Sequence, residues 1–232
     1  MFYGFNPGWL GIMLASVVLG GLTQAYIKST YRRWSQVPLE SGLTGGQVAA
    51  RVLAANGLQA LPIRPIAGNL TDNYDPREKT LNLSEGVYAS SSVAAAGVAA
   101  HEAGHAVQDA RGYVWGQLRS TLVPVAGLGS SAAWVLIFVG AFLGAASFLG
   151  HYVILTGIAF YAAAVMFQIV TLPVEFDASR RAIATLESTG TLDATQLGGA
   201  RQVLTAAALT YVAAALVAVM QLLYLLGFLR RD

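Results

Sequence analysis

The chain has 232 residues, 55% of them hydrophobic and only 11% charged, with a formal net charge of +2 at neutral pH. Soluble domains carry about 25% charged residues, so the composition excludes an ordinary soluble domain and indicates a polytopic membrane protein. With no cysteine, disulfides and thiolate metal sites are excluded too, and the Lys and Arg residues are spread too thinly for a nucleic-acid surface.

The first apolar run covers residues 9–27. No charged residue precedes it, and it ends in Gln24, Tyr26 and Lys28 with no small-residue cleavage site, so an uncleaved transmembrane helix is expected, not a signal peptide. A polar segment follows and reads as a small folded cap. Within it, Thr44-Gly45-Gly46-Gln47 has the form of a capping box that opens a helix through Val48, Val52 and Leu53, with Asn56-Gly57 ending it. Residues 61–66 and 80–83 are expected as two short strands of a hairpin around the turn-rich stretch 69–76. The second of them would offer an edge to which an extended substrate could add.

Residues 90–110 read SSSVAAAGVAAHEAGHAVQDA. Serines supply the N-cap, Ala and Val sustain the helix, and Gly112 is placed to end it. His101 and His105 stand four residues apart, so both imidazoles leave one helix face and reach a single Zn²⁺ at about 2.0–2.1 Å. Glu102 lies about 100° round the helix from His101, which suits a general base acting on water better than a ligand. Together these residues form an H-E-x-x-H arrangement. Two of the three histidines in the chain are spent here. The alternative is a polar helix stripe that happens to carry two histidines.

Residues 121–147 form the next expected span, a turn at Leu149, Gly150 and His151 follows, and residues 152–172 form a third. Residues 204–229 form the fourth, each span being close to the ~20 residues that cross a bilayer core. Four spans put both polar segments on one side. That side carries twelve of the fourteen basic residues, from Lys28 to Arg119 and from Arg180 to Arg201, so the positive-inside rule places it in the cytoplasm. Arg230 and Arg231 are the exceptions, able to snorkel to the far interface. Trp9, Trp34, Tyr113 and Trp115 fit interfacial anchors, and the Gly- and Ala-rich spans suit close packing within one subunit or between copies.

A catalytic zinc site needs a third protein ligand. His151 falls in the turn on the opposite side of the bilayer, so a carboxylate must supply it. Glu175 follows the third span directly, and two crossings return it to the side of His105. Asp177 is the reserve ligand, and Glu175 as a plain cap or ion-pair partner of Arg180 or Arg181 is the bland alternative. Asp109, two turns beyond His101, is expected to orient a histidine or to be solvated. Arg180, Arg181, Tyr74 and Arg77 are weak candidates for oxyanion stabilisation.

Several pieces of the chain resemble the bacterial membrane-bound zinc metallopeptidases called YugP-like, or neutral zinc metallopeptidase 2. They are the helix at 44–58, the turn Asn73-Tyr74-Asp75-Pro76-Arg77 with Leu81-Asn82-Leu83-Ser84, the run 97–108 and the run 172–181. More distantly, the chain is similar to the CAAX-processing and HtpX-type membrane peptidases, in which Glu-x-x-Ala-Asp supplies the third ligand. Here that segment reads Glu175-Phe176-Asp177-Ala178-Ser179, with Ser in place of the Asp. The resemblance implies endopeptidase activity on protein substrates at the membrane.

The expectation is thus a mostly α-helical membrane protein of four spans with a small α+β, zincin-like cap facing the cytoplasm. Its organisation would be a first span (1–27), a catalytic cap (28–120), spans two and three (121–172), a third-ligand segment (173–202) and a last span with its tail (203–232). Zn²⁺ would be held by His101, His105 and Glu175, with Glu102 as base. Expected partners are a protein or peptide substrate and the lipid bilayer of the bacterial inner membrane; a second copy or another membrane protein is compatible, and nucleic acid is not. The alternatives are a zinc hydrolase of non-peptide amides or esters, and a membrane scaffold or assembly factor with a structural or vestigial metal site.

Overall fold

A computed structural model describes residues 7–229; Arg230 and Arg231 lie outside the described residues. In chain order the elements are α1 (Pro7–Ser35), α2 (Gly45–Ala55), β1 (Ile63–Ile66), β2 (Asn73–Asp75), β3 (Thr80–Ser84), α3 (Glu85–Tyr88), α4 (Val93–Ala110), α5 (Val114–Phe142), α6 (Phe148–Ser188) and α7 (Ala194–Leu229). The chain is therefore mostly helical with one small sheet. By length and composition α1, α6 and α7 suffice to cross a membrane. α5 contains Pro124 and bends by 46° between Val114–Pro124 and Gly129–Phe142, and it makes a fourth span if the two halves act as one. An interior proline removes a helix hydrogen bond and clashes with the preceding turn, which accounts for the bend.

Two compact units divide the residues. The first comprises Met1–Leu22, Leu118–Leu172 and Thr210–Asp232. Here α5 and α6 form a close antiparallel pair because glycines remove the Cβ atoms between them. A Cβ on Gly140 would lie 2.8 Å from the Gly150 carbonyl oxygen, and one on Gly157 would lie 2.9 Å from that of Ala133. The turn falls at residues 143–147, where Gly144 takes φ +93° and Ser147 Oγ accepts from Gly150 N. The expected turn at Leu149, Gly150 and His151 is instead helical, because the backbone reversal needs the left-handed glycine at 144. Ala133, Ile154, Ile158, Tyr161 and Val165 form the core with Leu225 of α7. Trp9 packs its ring against Trp134 and Tyr224.

The second unit comprises Thr23–Gln117 and Pro173–Leu209. α2 is capped as its sequence requires: Thr44 Oγ1 accepts from Gln47 N at 3.3 Å, and Gln47 Oε1 accepts from Thr44 N at 2.9 Å. The sheet order is β1-β3-β2. β1 pairs with β3 in parallel, with Ile63 opposite Leu81, and the hairpin is formed by β2 and β3, with Tyr74 opposite Leu81. The expected hairpin between 61–66 and 80–83 is therefore replaced by a parallel pair. β3, expected as an edge, is the central strand with partners on both sides, so no substrate strand can add to it. Its burial on both faces matches that position, since Leu81 and Leu83 are fully buried and so are Thr80 and Ser84.

The core of this unit gathers Val48, Val52 and Leu53 of α2, Leu81 and Leu83 of β3, and the alanine-rich face of α4. Ile183 and Leu186 of α6 and Val203 and Leu204 of α7 complete it. Trp34, read from sequence as an interfacial anchor, belongs here at 7% exposure. Its indole fits because position 199 is glycine, where a Cβ would come within 2.6 Å of the ring, and its Nε1 donates to Gln202 Oε1 at 3.1 Å.

Candidate metal centre

The start of α4 is held twice. Ser92 Oγ accepts from Ala95 N at 3.3 Å, and backbone bonds from Leu39 N to Ser91 O and from Val93 N to Val37 O pin the entry to the residues that follow α1. The helix ends where Gly112 adopts φ +63° and Tyr113 N bonds back to Gln108 O. Ala94, Ala95, Ala96, Ala99, Ala100, Ala103 and Ala106 are fully buried, so neighbouring elements approach α4 around most of its circumference. Gly104 allows the closest approach. A Cβ there would lie 2.6 Å from the Ala178 carbonyl oxygen, so α6 rests directly on the α4 backbone, one residue before His105.

That contact brings Glu175 beside the two histidines. One ligand atom from each of His101, His105 and Glu175 lies within 4.8 Å of the others. His101 Nε2 is 3.3 Å from Glu175 Oε2, and His105 Nε2 is 3.7 Å from the same oxygen. The two imidazoles stand nearly perpendicular, at 84°, with centroids 4.7 Å apart. Glu175 is the first charged residue on α6 after its apolar run and is only 3% exposed. Burial alone would raise its carboxyl, but the pull of His101 and His105 holds it well below the usual carboxylate range.

Both Nδ1 atoms have partners. His101 Nδ1 is 3.1 Å from Ser179 Oγ, and His105 Nδ1 is 3.0 Å from Gln108 Oε1. Gln108 is itself anchored, its Nε2 donating to Val174 O at 2.8 Å and to Asp177 Oδ2 at 3.0 Å. The two Nε2 atoms are thus turned toward the Glu175 carboxylate. Tetrahedral zinc with bonds of about 2.0–2.1 Å separates neighbouring ligand atoms by about 3.3–3.4 Å. The observed 3.3 and 3.7 Å separations, with a two-imidazole, one-carboxylate donor set, fit such an ion.

Glu102 sits on the same helix, partly exposed. Burial pushes its carboxyl up from the ordinary value; the nearby His105 and His101 oppose this, while Glu175 and Asp72 add to it. A carboxylate shifted toward neutrality is suited to taking and returning a proton.

The remaining sequence candidates fall elsewhere. Asp177, the reserve ligand, turns away to Gln108, Arg180 and Arg181, which hold its carboxyl low against the opposing effect of burial. Asp109 does not orient a histidine: it accepts from the Tyr74 hydroxyl and from Lys79 Nζ. The orienting role falls to Gln108, one residue earlier, which sequence reasoning passed over in favour of the acid beside it. The signal was present, because positions 101, 105 and 108 share one helical stripe. Ser179 reaches His101, because it lies one turn beyond Glu175. The Tyr113 hydroxyl donates to Pro173 O at 3.3 Å and Arg181 stacks over its ring. His151 lies in the first unit, edge-on to the Tyr152 ring.

The sequence of residues 9–230 matches the model of a family described as "Putative neutral zinc metallopeptidase". It is 42% identical over 212 residues to the Bacillus subtilis (strain 168) protein named "Putative membrane protease YugP", a match covering 91% of this chain and 92% of that protein. No solved structure matches the chain. A match along almost the whole length places this chain in the neutral zinc metallopeptidase family.

Proposed function

We propose that the protein is a membrane-embedded zinc endopeptidase in which His101 and His105, through Nε2, and the Glu175 carboxylate hold the ion while Glu102 acts as general base. The observation that carries this reading is the convergence of His101, His105 and Glu175 from two helices, with both Nδ1 atoms already engaged. When bound, zinc supplies a Lewis acid that polarises a carbonyl and lowers the pKa of water. Glu102 removes the proton from the attacking water and returns it to the departing amine nitrogen. Its raised carboxyl makes it a willing donor in the second step. Arg180 and Arg181 are committed to Asp177 and Tyr74 to Asp109, which argues against these three as oxyanion donors.

The substrates proposed are proteins or peptides at the membrane. The protein would cross the bacterial inner membrane four times, counting α5 as one span, with the zinc site facing the cytoplasm as the distribution of basic residues favours. Zinc content of the purified wild type, His105→Ala and Glu175→Ala proteins tests the site. Near-stoichiometric metal in the wild type and its loss in both variants is expected; a wild type that takes up no zinc on reconstitution refutes the reading. Glu102→Gln is expected to keep the metal and lose peptide hydrolysis. Turnover of lipid-like amides or esters but not of peptides would favour the other hydrolase class, and cellular processing unaffected by Glu102→Gln would favour a scaffold.

A further inference from the structure

We propose that Gln108 is a positioning residue that selects which nitrogen of His105 faces Glu175, and that Asp177 is the anchor that sets Gln108. The argument is one of donors and acceptors. Gln108 Nε2 lies 2.8 Å from the Val174 carbonyl oxygen and 3.0 Å from Asp177 Oδ2. Both partners only accept, so the amide NH₂ group must point at them and the amide oxygen must point the other way. That oxygen lies 3.0 Å from His105 Nδ1. A carbonyl oxygen cannot donate, so Nδ1 must carry a hydrogen, and Nε2 is the nitrogen turned toward Glu175 Oε2.

Burial makes this selection firm. Gln108 is 3% exposed, so water cannot readily replace either of its partners. Asp177 faces both the Arg180 and Arg181 guanidinium groups, so its oxygens act as acceptors. His101 has no such constraint, because the Ser179 hydroxyl at its Nδ1 can donate or accept. One histidine is therefore preset by its surroundings and the other is adaptable. The usefulness of a preset Nε2 rests on the zinc reading above; the tautomer itself does not.

The chain has three histidines, so ¹⁵N-histidine labelling of the full-length, metal-stripped protein in detergent resolves each ring. Spectra would be taken at about pH 8, above the ordinary imidazole pKa of about 6.5. In the wild type His105 is expected to show a protonated Nδ1. In Gln108→Leu the His105 signals are expected to move toward the Nε2–H form while those of His151 stay fixed, and zinc affinity, measured by chelator competition, is expected to fall about 10–100-fold. A wild-type His105 that carries no proton on Nδ1 would overturn the proposal without any variant. An unchanged His105 tautomer in Gln108→Leu would also overturn it, leaving Gln108 as a mere tether between α4 and α6. A wild type with His105 protonated on Nδ1 that binds no zinc would refute the zinc reading and leave the positioning role intact; zinc uptake by a protein whose metal-free His105 carries no proton on Nδ1 would do the reverse.

Discussion

Replacing Gly104 by alanine tests whether the contact between α4 and α6 builds the metal centre. The added Cβ would meet Ala178 O at 2.6 Å, Ala178 C at 3.2 Å and Ala178 Cα at 3.3 Å, all backbone atoms that cannot rotate away. Unstrained C···O contacts begin at about 3.3 Å, so α6 must retreat by about 0.7 Å. Overpacking of this kind costs about 1–3 kcal/mol, against which alanine returns about 0.8–1 kcal/mol of helix propensity. Folding stability should therefore fall by no more than about 2 kcal/mol, and the protein should remain folded. The larger effect falls on the site. Glu175 rides on the helix that moves, and the 3.3 and 3.7 Å separations between its Oε2 and the histidines would widen by a similar amount. Metal sites tolerate about 0.2 Å. A loss of about 10–100-fold in zinc affinity, or about 1.4–2.8 kcal/mol, is expected. The assay is chelator competition with the full chain in detergent, accompanied by thermal melts with and without zinc. Gly97→Ala is the control on the same helix, because its Cβ would meet the Ala200 Cβ at an ordinary 3.4 Å. If Gly104→Ala binds zinc as tightly as the wild type, the close approach does not set the site and the reasoning fails.

Ser179→Ala removes the hydroxyl at His101 Nδ1 and is expected to weaken zinc binding about tenfold or more, with Ser179→Asp restoring it; equal affinity in all three proteins would show that Ser179 plays no part. Thr44→Ala deletes one half of the capping box on α2 and should cost about 1 kcal/mol, read as a lower denaturation midpoint with zinc affinity unchanged. Asp177 has a depressed pKa, so its ionised form stabilises the fold above the unfolded-state value, and that contribution disappears only as pH falls through the lower folded-state value. Melting temperature should accordingly fall more steeply on acidification in the wild type than in Asp177→Asn, and parallel curves would contradict the assignment. Stripping zinc from the wild type should lower the melting temperature, and restoring it should reverse the change; a Glu175→Ala protein that responds as strongly to zinc would place the ion elsewhere.

Local order in this protein was legible wherever the relevant neighbours are close in sequence. The H-E-x-x-H stripe, the Thr44–Gln47 cap and the termination of α4 at Gly112 all follow from helix pitch and from backbone groups within four residues of one another. The apolar runs were equally plain, because a bilayer-spanning helix needs only length and composition. Glu175 was within reach as well: it is the first charge after an apolar run, on an element whose crossing parity could be counted. What sequence could not supply were the partners chosen through space. The pattern of β3 is compatible with a hairpin or with a parallel pair, and only the pairing of β1 along one edge and β2 along the other makes it central. Trp34 looks like a membrane anchor until Gly199 and Gln202, more than 160 residues away, are seen to receive it. Gln108, not Asp109, meets His105 because the amide alone lies where it can bridge to Val174 and Asp177 on α6. Composition and periodicity determined the class of protein and the pair of histidines on one helix face. The tertiary structure decided what holds those histidines in place, because side-chain hydrogen bonds depend on ångström-scale approach between helices that the local sequence does not encode.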